Sequence, residues 1–479
     1  MRPPPTALTE GPIAPTLYRF ALPILLGNVL QSLNGSVNSV WVGKFLGEAA
    51  LTATSNANSV LFLLLGGAFG VSMAATILVA QHVGAQRPDA ARAVVGASAA
   101  FFGAVAIALA VVGALTADTL LAAMHTPADA LPYARAYLRI IFAALPFLYL
   151  YTYVMAVLRG AGDSRTPFRF LLLSVGLDIV LNPLFIFGLG PLPGLGIAGS
   201  ALATLVANAV SFVALVVYLY RTRNPLCLRG GDLALLRFDG AIIATLLKKG
   251  LPMGLQMVVL SANAVAMISL VNRFGSDTTA AYGAAWQLWN YVQMPAFALG
   301  AAVSSMAAQN VGAGRWDRVA RTARVGVLFV CLTTGSVVLL LVAIDEYALR
   351  LFLTSGHAIE IARHVNLIAA PSWLFFGVSM VLFGVVRSTG AVVPPVVVLF
   401  FALWVVRLPF ANLLLPRLGA DAIWWSFPLA SIVAASLAVA YYRFGGWRRA
   451  RMTPAAARTP RATDPARAAI PGDEGAAGK

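Results

Sequence analysis

Hydrophobic positions in this chain gather into blocks of about 20 residues or more, and the blocks recur from Thr16 to Arg443. A block of that length crosses the roughly 30 Å hydrocarbon core of a bilayer as a helix. The pattern predicts spans at 15–43, 50–80, 92–116, 131–158, 166–190, 196–220, 241–272, 278–308, 320–343, 364–386, 393–415 and 422–443. The fold class expected is an all-α polytopic membrane protein with twelve transmembrane helices.

The spans fall into two similar sets. "AQHVGAQRPDAAR" (80–92) aligns with "AQNVGAGRWDRVA" (308–320), each closing a second span. "FALPILLGNVL" (20–30) aligns with "KGLPMGLQMVV" (249–259), pairing Pro23 with Pro252. "VLRGAGDSRTP" (157–167) aligns with "VVRSTGAVVPP" (385–395), pairing Arg159 with Arg387, Gly162 with Gly390 and Pro167 with Pro395. A six-span unit repeated once in the same orientation predicts two lobes related by a pseudo-twofold axis along the membrane normal. The expected parts are an N-terminal segment 1–14, an N-lobe 15–220, a linker 221–240, a C-lobe 241–443 and a disordered basic tail 444–479. Two like bundles can rock about a central cavity, which suits an alternating-access carrier. Pro23 and Pro252 each delete a backbone hydrogen bond and permit a kink.

Composition agrees with the pattern. The chain is 59% hydrophobic and 11% charged, with a mean hydropathy of +0.82; soluble domains carry roughly 25% charged residues. The net charge of +16 is mostly topology and tail rather than a nucleic-acid surface. Loops after even-numbered spans, counting Arg159 and Arg387 among them, hold sixteen Lys and Arg, and loops after odd-numbered spans hold seven. Basic loops stay in the cytoplasm, so both termini are expected there, with the chain in the cell (inner) membrane. No cleavable leader is expected at "MRPPPTALTE". Cys227 and Cys331 give no disulfide framework, and the four His have no metal-ligand spacing. No G-x-x-x-x-G-K-[ST] cradle is present, so no nucleotide cofactor is expected.

One stretch breaks the apolar rule. "LDIVLNPLFIFG" (177–188) carries Asp178 in mid-span, with Asn182 four residues on. A carboxylate at that depth costs about 2.5–3.5 kcal/mol and usually marks an ion or proton path. Asn182 shares its helical face, and Pro183 frees the carbonyl of Ile179 close by. Span 1 offers Asn34 and Asn38, and span 6 offers Thr204 and Asn208, again four apart. These stripes predict one polar chamber for a coupling cation; small-residue packing seams would give the same spacing. In "GAGDSRTP" (160–167), Thr166 is expected to cap span 5 with Pro167 at its first position.

The second half has no such acid. Arg407 stands one residue past the counterpart of Asp178, either binding an anionic group or pairing with carbonyls freed near Pro409. Span 8, "YGAAWQLWNYVQMPAFALG", offers Trp286, Gln287, Trp289, Asn290, Tyr291, Gln293 and Met294. As cavity lining these suit flat, cationic guests; as packing they need no guest. An intramembrane enzyme would need a nucleophile–base pair or paired acids at depth, and the spans hold none.

The block "LRGAGDSRTP…LDIVLNPLFIFGLG…GIAGSALAT" (158–204) resembles the middle of the multidrug and toxic compound extrusion (MATE) family. "LPILLGNVLQSLNGSVNSVWVGKFLG" (22–47) resembles its first helix, and "AQNVGAGRWDRV" (308–319) its repeat after helix 8. The resemblance implies twelve helices in two lobes and export of cationic or amphipathic small molecules in exchange for protons or sodium ions. Many relatives have Asp where Asn38 stands, and Asn then Asp where this chain has Asp178 then Asn182. Acids used in helices 7 and 10 by other branches are missing. The expectation is therefore a monomeric proton-coupled antiporter using Asp178, with sodium coupling or a lipid-linked-precursor flippase as alternatives.

Overall fold

The structure, a computed structural model, describes residues 8–189 and 192–452, apart from 125 and 128. The N-lobe comprises α1 (Ile13–Leu46), α2 (Glu48–Gly84), α3 (Pro88–Ala123), α4 (Leu131–Gly160), α5 (Arg165–Phe187) and α6 (Ile197–Arg221). A two-rung ribbon, Gly188–Leu189 with Leu192–Pro193, joins the last two. The C-lobe begins with α7 (Gly240–Val271), α8 (Ser276–Val292), α9 (Met294–Gly312), α10 (Trp316–Leu349) and α11 (Gly356–Arg387). It ends with α12 (Val393–Phe400), a π-helical stretch Phe401–Arg407, α13 (Leu408–Leu418) and α14 (Asp421–Phe444).

Among the described residues, eleven helices are long and apolar enough to cross a membrane, the run 393–418 counting as one. The expected span 278–308 is not a single helix: it is α8 and α9, broken at Gln293. Pro295 explains the break, because it cannot donate to the Tyr291 carbonyl and its ring crowds the turn before it. The repeat is written in the backbone as well. Gly47 and Gly275 precede α2 and α8 with φ of 87° and 90°, and Gly162 and Gly390 have φ of 93° and 103°. These are left-handed conformations that favour glycine.

The start of α5 corrects the cap. The helix begins at Arg165, and Asp163, not Thr166, receives its orphan donors: Asp163 Oδ1 accepts the N–H groups of Arg165 and Thr166 at 3.0 and 2.9 Å. In the linker, Gly230–Leu235 form a short 3₁₀ turn, and Asp239 Oδ1 caps α7 through Ala241 and Ile242.

The lobes meet through the halves of α1, α2, α7 and α9 nearest the chain ends. There a pseudo-symmetric clasp forms. Gln81 Nε2 donates to Ser388 O at 2.7 Å, and its repeat mate Gln309 donates to Gly160 O at 2.8 Å. The helices cross so closely that a Cβ on Gly84 would lie 1.9 Å from Gln309 O, and one on Gly312 would lie 2.0 Å from Gln81 O. The first and last described residues of the chain pack onto this face. Leu8 is fully buried, its N–H donating to Gln309 Oε1 at 3.2 Å and its carbonyl accepting from Asn310. The tail expected to be disordered from 444 is placed as far as 452, where Trp447 is buried and its carbonyl accepts from Thr389. Residues 453–479 lie outside the described residues.

Candidate functional site: a caged carboxylate beside an arginine-bearing cavity

Asp178 is 3% exposed, enclosed within the N-lobe by α1, α5 and α6. Its Oδ2 accepts from Asn34 Nδ2 at 2.9 Å and Asn38 Nδ2 at 2.8 Å. Its Oδ1 accepts from Thr204 Oγ1 at 3.1 Å and Asn182 Nδ2 at 3.2 Å. Asn182 also donates to Asn38 Oδ1 and to the backbone oxygen of Asp178 itself. The spacing of four that marked these residues in sequence is what puts them on facing stripes. Five of the six polar residues singled out in the N-lobe thus come together. Asn208 does not join them: its amide donates to Thr204 O at 2.8 Å, one turn away from the acid.

Two acceptors in this cage are orphaned. Asn34 Oδ1 and Asn182 Oδ1 are buried and have no hydrogen-bond partner. Buried polar oxygens are nearly always paired. Here they sit on the side chains that already hold the carboxylate, so a proton or cation arriving at Asp178 meets free acceptors.

The second feature is a cavity of about 790 Å³ between the lobes. Trp286, Gln287, Asn290, Gln293, Met294 and Arg407 all line it. Trp289 does not, and is packed in the C-lobe core with Nε1 bonded to Asn366 Oδ1 at 2.9 Å. From the N-lobe, α1 contributes Asn28, Ser32 and Ser36. One face of α1 therefore holds the acid and another lines the cavity.

Several cavity residues were missed in the sequence. The sequence places Arg159 and Arg387 in loops, as topology signals. They instead occupy the last turns of α4 and α11 and line the cavity. Arg387 is 6% exposed and donates to Gln256 Oε1 at 3.0 Å. Their pairing by the repeat was the available signal, since a charge kept at one point of both halves suggests more than loop placement. Tyr282, Trp373 and Phe427 complete the aromatic wall, with Tyr282 and Trp286 6.1 Å apart and Tyr282 and Phe427 6.4 Å apart between ring centres. Arg407 was visible in sequence, but its partners, Asn263 in α7 and Phe427 in α14, come from elements far along the chain.

Two helical lobes around a central cavity, with one carboxylate cage in a lobe interior, define a two-lobe membrane transporter. The chain belongs to the MatE family, which matches residues 23–184 and 252–413, once in each lobe, starting at the paired prolines. Probable multidrug resistance protein YoeA of Bacillus subtilis (strain 168) is 36% identical over 93% of this chain and 97% of its own length. Probable multidrug resistance protein YpnP of the same organism is 31% identical over 93% and 98%. A solved outward-facing multidrug resistance MATE family transporter superposes with a TM-score of 0.85 at 20% identity, covering 92% of this chain and 98% of that one.

Proposed function

We propose that this protein is a secondary active antiporter that exports amphipathic small molecules in exchange for protons, with Asp178 as the proton carrier. The relatives named for multidrug resistance support the export role. The coupling role rests on one observation: four donors satisfy the carboxylate while two acceptors beside it stand unused.

The cage suits both protonation states. Ionised Asp178 accepts everything its neighbours donate. Protonated, it becomes a donor and needs an acceptor, which Asn34 supplies by turning its amide so that Oδ1 replaces Nδ2. Two of the four donors belong to α1, so loading the acid alters the hold on that helix. Because α1 also lines the cavity, its release is the step that lets substrate and proton exclude one another. With the chain ends in the cytoplasm of a multi-pass inner-membrane protein, the clasp closes the cytoplasmic side, and the cavity faces outward.

Proteoliposomes of the purified protein test this. Dye accumulation driven by a pH gradient should collapse when the gradient is dissipated, and Asp178→Asn should reduce it to background. Undiminished, gradient-driven transport by that variant refutes the assignment. The same unpaired amide oxygens are also ligands a sodium ion accepts, so a sodium gradient at constant pH is the second arm; transport driven by it alone would replace the proton with sodium.

A further inference from the structure

The charge of the cavity does not match an organic cation. Three guanidinium groups, on Arg159, Arg387 and Arg407, line it, and among the described lining residues there is no Asp or Glu. None of the three is in an ion pair among the described residues.

Arg407 is the most constrained of them. It is 8% exposed, and its Nη1 donates to Asn263 Oδ1 at 3.0 Å. Asn263 is itself fixed, its Nδ2 donating to Leu403 O within the π-helical stretch. The guanidinium carbon lies 3.5 Å from the centre of the Phe427 ring. What remains is specific: Nε and Nη2 are buried and have no partner. Those two groups form one edge of the guanidinium fork, the edge that takes both oxygens of a carboxylate, sulfonate or phosphate at once. A buried, unpaired cation is costly in the membrane and is usually functional.

We propose that the cavity binds amphipathic anions, with Arg407 gripping the acidic group and the aromatic wall holding the apolar body. The inference rests on the reading of this cavity as the transport site, and it changes the substrate class from cation to organic acid. Tyr282, Trp286 and Phe427 supply flat faces, and the volume of about 790 Å³ fits a drug-sized guest. Arg387, fixed through Gln256, and Arg159 add positive potential, with no carboxylate among the described lining residues to neutralise it. An aromatic acid from the aqueous phase and an anionic lipid present the same oxyanion chemistry.

The test uses the full-length protein in phosphatidylcholine nanodiscs and two dyes with one scaffold, anionic fluorescein and cationic rhodamine 123. Binding is read by fluorescence anisotropy without any gradient. Fluorescein should bind at least tenfold more tightly than rhodamine 123. Arg407→Gln should weaken it at least tenfold, and Arg407→Lys should recover part of the loss. Displacement by 2-naphthalenesulfonate identifies an aqueous acid, and displacement by added phosphatidic acid a lipid; either supports the anion site. Rhodamine 123 binding as tightly as fluorescein overturns it, and so does unchanged fluorescein affinity in Arg407→Gln. If that variant does not fold, the ratio of the two dyes on the wild-type protein decides. Arg407-dependent fluorescein binding without gradient-driven fluorescein transport leaves the anion site standing and removes the coupling reading. Asp178-dependent rhodamine 123 transport without fluorescein binding does the reverse.

Discussion

Asn38 makes both of its polar atoms useful: Nδ2 holds Asp178 Oδ2, and Oδ1 receives Asn182. Truncating it removes two interhelical bonds and leaves a buried carboxylate short of a donor, a loss of about 1–2 kcal/mol in a membrane bundle. Asn208 bonds only a carbonyl of its own helix, so its truncation should cost less than about 0.6 kcal/mol. Thermal unfolding of the purified variants checks the contrast: Asn38→Ala should unfold clearly earlier than wild type, and Asn208→Ala close to it. Equal effects would mean that the cage contributes nothing beyond ordinary packing. At this scale the sequence was informative where chemistry was local. Asp178 and its partners could be read because an acid in an apolar run is rare and a spacing of four is one helical turn. The tenants of the cavity could not be read as a set, since Arg407, Asn263 and Phe427 are brought together only by packing of α7, α14 and the π-helical stretch.

Helices in this fold earn their roles at their irregular points. A straight apolar run predicts a span but is silent about where it breaks. That is why 278–308 reads as one helix in sequence, while the structure divides it at Gln293 and carries Arg407 at the end of a π-helical stretch. Such insertions are frequent at functional positions. The α2–α9 crossing is a second irregular point, because it depends on Gly84 and Gly312 having no side chain. Placing a Cβ at either forces the two backbones apart by more than a side-chain adjustment absorbs. Gly84→Ala and Gly312→Ala should each weaken closure of the clasped end. Spin labels at positions 85 and 313, measured by double electron–electron resonance, should report a population at longer distance in either variant. A distance distribution identical to wild type would show that the crossing adapts without opening.

At the scale of the whole molecule, the duplication visible in three short alignments extends to turns, clasp and family match, each occurring once per lobe. At the clasp, what breaks the symmetry is the segment preceding α1, which no repeat could foretell. Leu8 is fully buried, and Thr9, Glu10 and Gly11 give their carbonyls to Arg315 and Arg318 at 2.6–3.1 Å. Leu8 also holds Gln309 by its Oε1, the same side chain whose Nε2 reaches Gly160 across the lobe boundary. The segment therefore braces one half of the clasp in the orientation that closes it. Leu8→Ala keeps the backbone N–H but removes the fully buried side chain that seats the segment, and should cost about 2 kcal/mol, roughly a thirtyfold shift toward the open form. A single cysteine at Ser305, a buried cavity position, reports the shift in a background without Cys227 and Cys331. A membrane-impermeant maleimide added on the side of the chain ends should label it about thirty times faster in Leu8→Ala than in the otherwise identical protein. Equal rates would mean that the two glutamines and the glycine crossing hold that end shut without help, and that residues 8–11 ride on the lobe rather than lock it.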